Sequence, residues 1–258
     1  MRAAFATLSL CFACGLGPAA ALPAASEATT RYQAGDFQAA AFAGEAEASA
    51  DGYVIAAQSL LAMAMRDMRG PDSAGYLDRA EKDSAAALAL APDSVEPRLT
   101  LALALGMKGR RASLNEALDK DYAARGKTLI EEVLARAPEE PRAHALLGGW
   151  NLEVVRRGGA IGARLMGAST RAGVRAFDRA RALAPNSPTI ALHYAVALLM
   201  LDSKRYGEKA RDLLQAAGSA APADAFEIAA RDQARRLAAL IASRGPQAAA
   251  DSAARTFL

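Results

Sequence analysis

Cysteine is almost missing from this chain. The only two, Cys11 and Cys14, fall within its first segment. If that segment is removed, disulfides, thiolate metal sites and a cysteine nucleophile are all excluded. Histidine is nearly as scarce: His144 and His193 stand alone, with no His-x-x-x-His pair and no adjacent Glu-His helix pair. Zinc and histidine-centred catalysis therefore lack their usual donor spacing, and both histidines are expected to pack between helices. A charge excess is also lacking. Lys+Arg number 31 against 28 Asp+Glu, for a net +3, which leaves no nucleic-acid footprint. No stretch alternates polar and apolar residues long enough to make a strand. No later apolar run approaches the ~20 residues a membrane-spanning helix needs.

What is present begins with an export signal. Arg2 supplies a positive start, Ala3 to Leu16 an apolar run, and Gly17-Pro18 a break. Small residues follow through Ala24-Ala25, the order a signal peptidase reads. Residues 1–25 are thus expected to be cleaved, leaving a periplasmic or secreted chain. A lipid anchor is not expected, because Cys11, Phe12 and Ala13 before Cys14 fit a lipoprotein signal poorly. An Ala-rich exported chain without cysteine points to a bacterial envelope.

The rest of the chain repeats itself. AALALAPDSVEPR, EEVLARAPEEPRA and DRARALAPNSPTI each carry the end of a helix, then Ala-Pro, two polar residues and a new helix start. The prolines Pro92, Pro138 and Pro185 recur at spacings of 46 and 47. A proline just past a helix end cannot continue the helix, and the polar residues after it can cap the next one. Helices are predicted at about 27–34, 37–50, 53–68, 74–90, 95–107, 120–136, 141–155, 169–183, 188–201, 205–217 and 223–243. The segments Met107 to Asp119 and Gly158 to Ala168 read as loops inserted between paired helices, since insertions in repeat proteins map to loops. Residues 26–245 form one helical repeat domain in this reading, the helix Ala223 to Ser243 capping the stack. Residues 246–258 are read as a flexible tail.

The residues around each proline resemble the tetratricopeptide repeat (TPR), a helical hairpin of about 34 residues. That pattern places small residues where paired helices touch. Here Ala80 and Ala87, Gly126 and Val133, and Gly173 and Ala180 occupy those places, Val133 being the departure. Leu147-Gly148 and Tyr194-Ala195 match the large-small pair of the first helix, and YQAGDFQAA carries the Gly-Asp-aromatic turn of an earlier hairpin. From Lys120 to Pro188 the chain also resembles the divergent TPR family named for regulators of microtubule dynamics. The match rests on His144, Leu146, Leu147, Gly148 and Trp150, followed by RARALAPNSP. The resemblance implies an all-α, TPR-like helical-hairpin superhelix (an α-solenoid) that binds partners and has no catalytic residues or cofactor.

In TPR arrays the first helix of each hairpin lines a concave groove. The corresponding positions here are Leu99 and Leu103, Ala145 and Gly149, and Leu192 and Val196. Carboxylate-clamping TPRs carry Lys and Asn there, so this groove is expected to take an apolar ligand or helix, or to be filled by the protein itself. Basic residues cluster at the insertions: Lys108, Arg110 and Arg111 in the first, and Arg156, Arg157 and Arg164 in or beside the second. Arg171, Arg175 and Arg179 form a stripe on one helix. They read as a solvated face, with acids such as Asp178 nearby, or as an anion-attracting rim for an acidic peptide or lipid headgroups. Gly158 to Gly162 resembles a phosphate cradle in composition only, with no strand before it and no Lys-Ser/Thr after it. The insertion also carries Ile161, Leu165 and Met166, apolar residues expected to be buried, either folded back over the groove as a lid or packed on a neighbour. The single tryptophan, Trp150, is expected in the core.

The expected function is a non-catalytic periplasmic scaffold for a protein or peptide partner. Its candidate contacts are Arg110, Arg111, Arg156, Arg157, Leu165, Met166, Leu99, Leu103, Leu192 and Val196. The alternative is a carrier or transporter-associated subunit that holds an apolar small molecule.

Overall fold

A computed structural model describes residues 25–66 and 68–257; the export signal proposed at 1–25 lies almost wholly outside them. Among the described residues the fold is all-α, twelve helices with no strand. In chain order they are α1 (Glu27–Gln33), α2 (Phe37–Glu47), α3 (Ala50–Arg66), α4 (Ser73–Leu90), α5 (Val95–Arg111) and α6 (Leu114–Asp119). The second half comprises α7 (Tyr122–Arg136), α8 (Pro141–Met166), α9 (Thr170–Leu183), α10 (Pro188–Ser219), α11 (Ala225–Arg244) and α12 (Pro246–Phe257). Among the described residues no helix is long and apolar enough to cross a membrane.

The three Ala-Pro segments fold alike. Ala91, Ala137 and Ala184 each end a helix with nearly the same backbone, at φ −132°, −132° and −135° and ψ 71°, 79° and 71°. The following proline enforces this, because it bars the α conformation in the residue before it. In each case the alanine N–H still reaches back four residues, to Ala87, Val133 or Ala180. Its carbonyl then accepts from the N–H of Ser94, Glu140 or Ser187, the residue that caps the next helix. One sequence phrase thus gives one corner three times.

Helices pack mainly against their neighbours in sequence: α3 on α2 and α4, α7 on α5, α9 on α8, α11 on α10. The small residues of the repeat pattern, Ala80, Ala87, Gly126, Val133, Gly173 and Ala180, are all buried. Gly148 on α8 meets the face of Phe177 on α9. A Cβ there would lie 2.5 Å from Phe177 Cδ2. Phe177 in turn stacks on Tyr194 of α10, with ring centroids 4.5 Å apart and planes at 7°.

Three expectations are corrected. Met107 to Asp119 is not a plain loop. α5 continues to Arg111, and Ser113, accepting from Glu116 N at 3.2 Å, starts α6. The extension is held by its basic residues: Lys108 bonds Asp78 at 2.6 Å and Glu81 at 2.7 Å, and Arg111 donates to the Met68 carbonyl at 2.5 Å. Gly158 to Ala168 is also largely helical. α8 kinks at Gly159, whose φ of +57° only glycine adopts readily, resumes, and stops at Gly167 (φ +66°). Residues 246–257 are not a tail. They form α12, which buries Ala249, Ala250, Ala253 and Phe257 against α10 and α11. The sequence hid this because three of the four anchors are alanines.

The two ends of the array also meet. α1 touches α11, and α3 touches α12. A Cβ on Gly35, just after α1, would lie 3.1 Å from Ala225 Cβ. Tyr32 on α1 has its phenol pKa raised by burial and by the nearby Asp224 and Glu227 at the start of α11.

Candidate functional site

The groove positions do not form an open surface. Leu99 is buried among Val133, Ala143 and Leu146 where α5, α7 and α8 join. Leu192 and Val196 lie in the largest core cluster, which also contains the four buried residues of α12. Leu103 is half-buried beside the α3–α4 core. Leu99, Leu192 and Val196 are thus packing residues, and they leave the set of candidate contacts.

The arginines serve several internal purposes. Arg156 pairs with Glu153 one turn earlier, at 2.6 and 2.9 Å. Arg157 donates to the carbonyls of Gly109 and Ala112, the latter at 2.9 Å, and so closes the C-terminal end of α5. Such carbonyls lack helical partners and need donors from elsewhere. Arg111 is committed to Met68, as described. Arg110 points inward: its Nη2 is 3.9 Å from where a Cβ on Gly149 would sit.

Together these residues build a charged interior patch around Glu153, which the sequence reading did not single out. Burial works against the Glu153 carboxylate, but the bond from Arg156 and the charges of Arg110, Arg156 and Arg157 outweigh it and hold its pKa below the ordinary value. His193 lies edge-on to Phe257, with ring centroids 6.0 Å apart. Burial, reinforced by Arg110, lowers its pKa to about 4, so it is neutral at physiological pH. The Glu153–Arg156 spacing of three residues was the available signal, as this places both on one helix face. His144 bonds the Pro138 carbonyl at 2.8 Å and serves the corner. Trp150 joins α8 to α7 through its N–H, 2.8 Å from the Ala123 carbonyl, with Lys127 over its ring.

No group of three or more His, Cys, Asp or Glu side chains placed to hold a metal occurs among the described residues. A shallow depression of about 400 Å³ lies at the kink of α10, with Arg156, Asp202, Lys204, Gln247 and Asp251 among its lining residues. Its open, mixed lining offers no apolar chamber of the kind a carrier would use.

Exposed large apolar side chains occur singly at Phe42 of α2, Leu90 of α4 and Ile228 of α11, and in pairs on the two insertions. Leu114 and Leu118 on α6, four residues apart, are exposed, as are Ile161 and Leu165 on the last turns of α8. Met166 is half-buried. Of the sequence candidates, Leu165 alone is an apolar group fully open to solvent. Compared with known proteins, the chain matches no family model and no curated protein.

Proposed function

We propose that this protein is a TPR-type helical-hairpin scaffold of the bacterial envelope, without catalytic activity, that binds a protein partner. The observation that carries this reading is the thrice-repeated Ala-Pro corner, with the same backbone and the same two hydrogen bonds each time. Repeated hairpins build extended surfaces whose insertions often form the binding face. With Leu99, Leu192 and Val196 in the core, the partner surface moves outward to α6, where Leu114 and Leu118 stand four residues apart and exposed. Export rests on the sequence of residues 1–25 and places the partner in the periplasm.

The test is photo-crosslinking in the native host. A photoreactive residue at Leu118 should yield one reproducible protein adduct, and the same residue at Arg255 should not. Equal or absent labelling at both positions would defeat the scaffold reading.

A second reading, a carrier for an apolar small molecule, draws support from the meeting of α1 with α11 and of α3 with α12, which bends the array back on itself. Native mass spectrometry of protein purified from its host separates the two. A stoichiometric small molecule released on denaturation favours the carrier.

A further inference from the structure

The end of α8 carries two of the most exposed apolar side chains among the described residues. After the kink at Gly159, Ile161 and Leu165 point outward from one face, 77 % and 81 % exposed, with the exposed Arg164 beside them. Positions i, i+3 and i+4 share a helix face, so the two apolar groups and the cation form one tip. One side of the tip packs inward, with Ala163 and Ala168 buried, while the other is open: a Cβ added at Gly159, Gly162 or Gly167 would meet nothing within 4 Å among the described residues. From Val154 to Phe177 the chain has no acidic residue, while it carries Arg156, Arg157, Arg164, Arg171 and Arg175. Arg156 and Arg157 are engaged internally. Arg164, Arg171 and Arg175 are exposed and make no ion pair among the described residues at the 4.0 Å limit.

We propose that this tip docks the protein onto an anionic lipid surface. Ile161 and Leu165 would enter the headgroup–acyl boundary, while Arg164, Arg171 and Arg175 meet lipid phosphates. The charge pattern favours such a surface over a neutral one: Arg164 stands beside the two apolar side chains, and Arg171 and Arg175 follow in the first turns of α9. No carboxylate lies between Val154 and Phe177 to repel phosphate. The high exposure of Ile161 and Leu165 favours a deformable phase, into which they can insert without a preformed pocket. Interfacial helices bind by this combination of buried apolar area and attraction to anionic lipid. An arginine near such a surface strengthens binding about fivefold. The scaffold reading does not depend on this proposal, since it is tested at Leu118 of α6 and not at Ile161 or Leu165.

The experiment is vesicle flotation with the purified chain. Binding should be seen with phosphatidylglycerol/phosphatidylcholine vesicles, be absent with phosphatidylcholine alone, and fall as salt is raised. Replacing Arg164, Arg171 and Arg175 together by alanine should weaken it about a hundredfold, and I161S/L165S should abolish it. All five side chains are solvent-facing or nearly so, and unchanged thermal unfolding of both variants checks that the fold is intact. No binding to anionic vesicles, equal binding to neutral ones, or full binding by either variant would overturn the proposal. So would a protein adduct from a photoreactive residue at Leu165 in a chain that ignores vesicles, which would make the tip a protein contact. Because flotation involves no second protein, its failure leaves the scaffold reading to its own test.

Discussion

Replacing Gly148 by alanine asks whether the small residues of the repeat pattern are there for close packing. In a helix interior the change alone should stabilise by about 1 kcal/mol, the difference in helix propensity. Here the new Cβ would stand 2.5, 2.7 and 2.9 Å from three carbons of the Phe177 ring, against ordinary carbon contacts of about 3.5–4.0 Å. The ring would have to retreat by about 1 Å. Behind it stands Tyr194, stacked at 4.5 Å and anchored by its hydroxyl, which donates to Asp178 at 2.9 Å. Lys209 holds the same carboxylate at 3.0 Å. Overpacking of a well-filled core costs about 1–3 kcal/mol or more, and the immobile backing places this site at the upper end. After the propensity gain the net loss is about 1–3 kcal/mol, or roughly 2–12 °C in melting temperature at 2–4 °C per kcal/mol. Gly106→Ala on α5 is the control, because a Cβ there meets nothing within 4 Å and the melting temperature should rise by about 2–4 °C. Both are read by circular dichroism during heating and in urea. Adding Phe177→Leu to Gly148→Ala should cost less than the two changes summed, by about 1 kcal/mol. A Gly148→Ala variant as stable as its parent would refute the close-packing account.

Other sites give independent checks. Asp83 is buried, and its Oδ2 has no hydrogen-bond partner among the described residues. Burial, then the nearby Glu45, raise its pKa to about 6, so the folded state holds the proton more tightly than the unfolded chain. Its contribution is therefore full below about pH 3.8 and lost as pH rises to about 6. Asp83→Asn should be more stable than the parent above pH 6 by about 1–3 kcal/mol, an advantage that shrinks toward pH 4; urea titrations across this range would read it, and a pH-independent difference would refute it. Arg157→Ala should cost about 1.5–3 kcal/mol and speed proteolysis near residues 109–113, since two carbonyls at the end of α5 lose their donor. Phe257→Ala should cost about 2–3 kcal/mol, measured by thermal unfolding; no loss would mean that α12 contributes nothing to the core.

Much of the fold was legible because its signals are local. Pro92, Pro138 and Pro185 fix the corners through the residue before each, and the predicted helices recur with shifts of a few residues at their ends, except that the one predicted at 141–155 runs on to Met166. Those predicted at 188–201 and 205–217 form α10, joined across a kink at Asp202, whose side chain accepts from Arg205 N at 2.9 Å. The extended part of α5 was hidden because its helix is held from outside, by Asp78, Glu81 and the Met68 carbonyl, which periodicity cannot see. α12 was hidden because Ala249, Ala250 and Ala253 look the same whether packed or exposed. The interior patch was half visible. Arg110, Arg156 and Arg157 stood out as a basic cluster, while Glu153 gains its importance only when α5 is laid beside α8.

The contact of α1 with α11 has a consequence for synthesis. A ribosome delivers about 5–20 residues per second, so the first hairpin waits on the order of ten seconds or more before Ala225 exists to cover Gly35. Until then the outer faces of α1 and α3 are an unfinished edge, open to any helix of suitable shape. In an export pathway that holds the chain unfolded until it has crossed, this interval would shrink, and first and last helices would enter the folding compartment as parts of one molecule. A permuted chain that joined the ends and opened between α6 and α7 would make α1 and α11 near neighbours in sequence, and their contact would become one of the first to form.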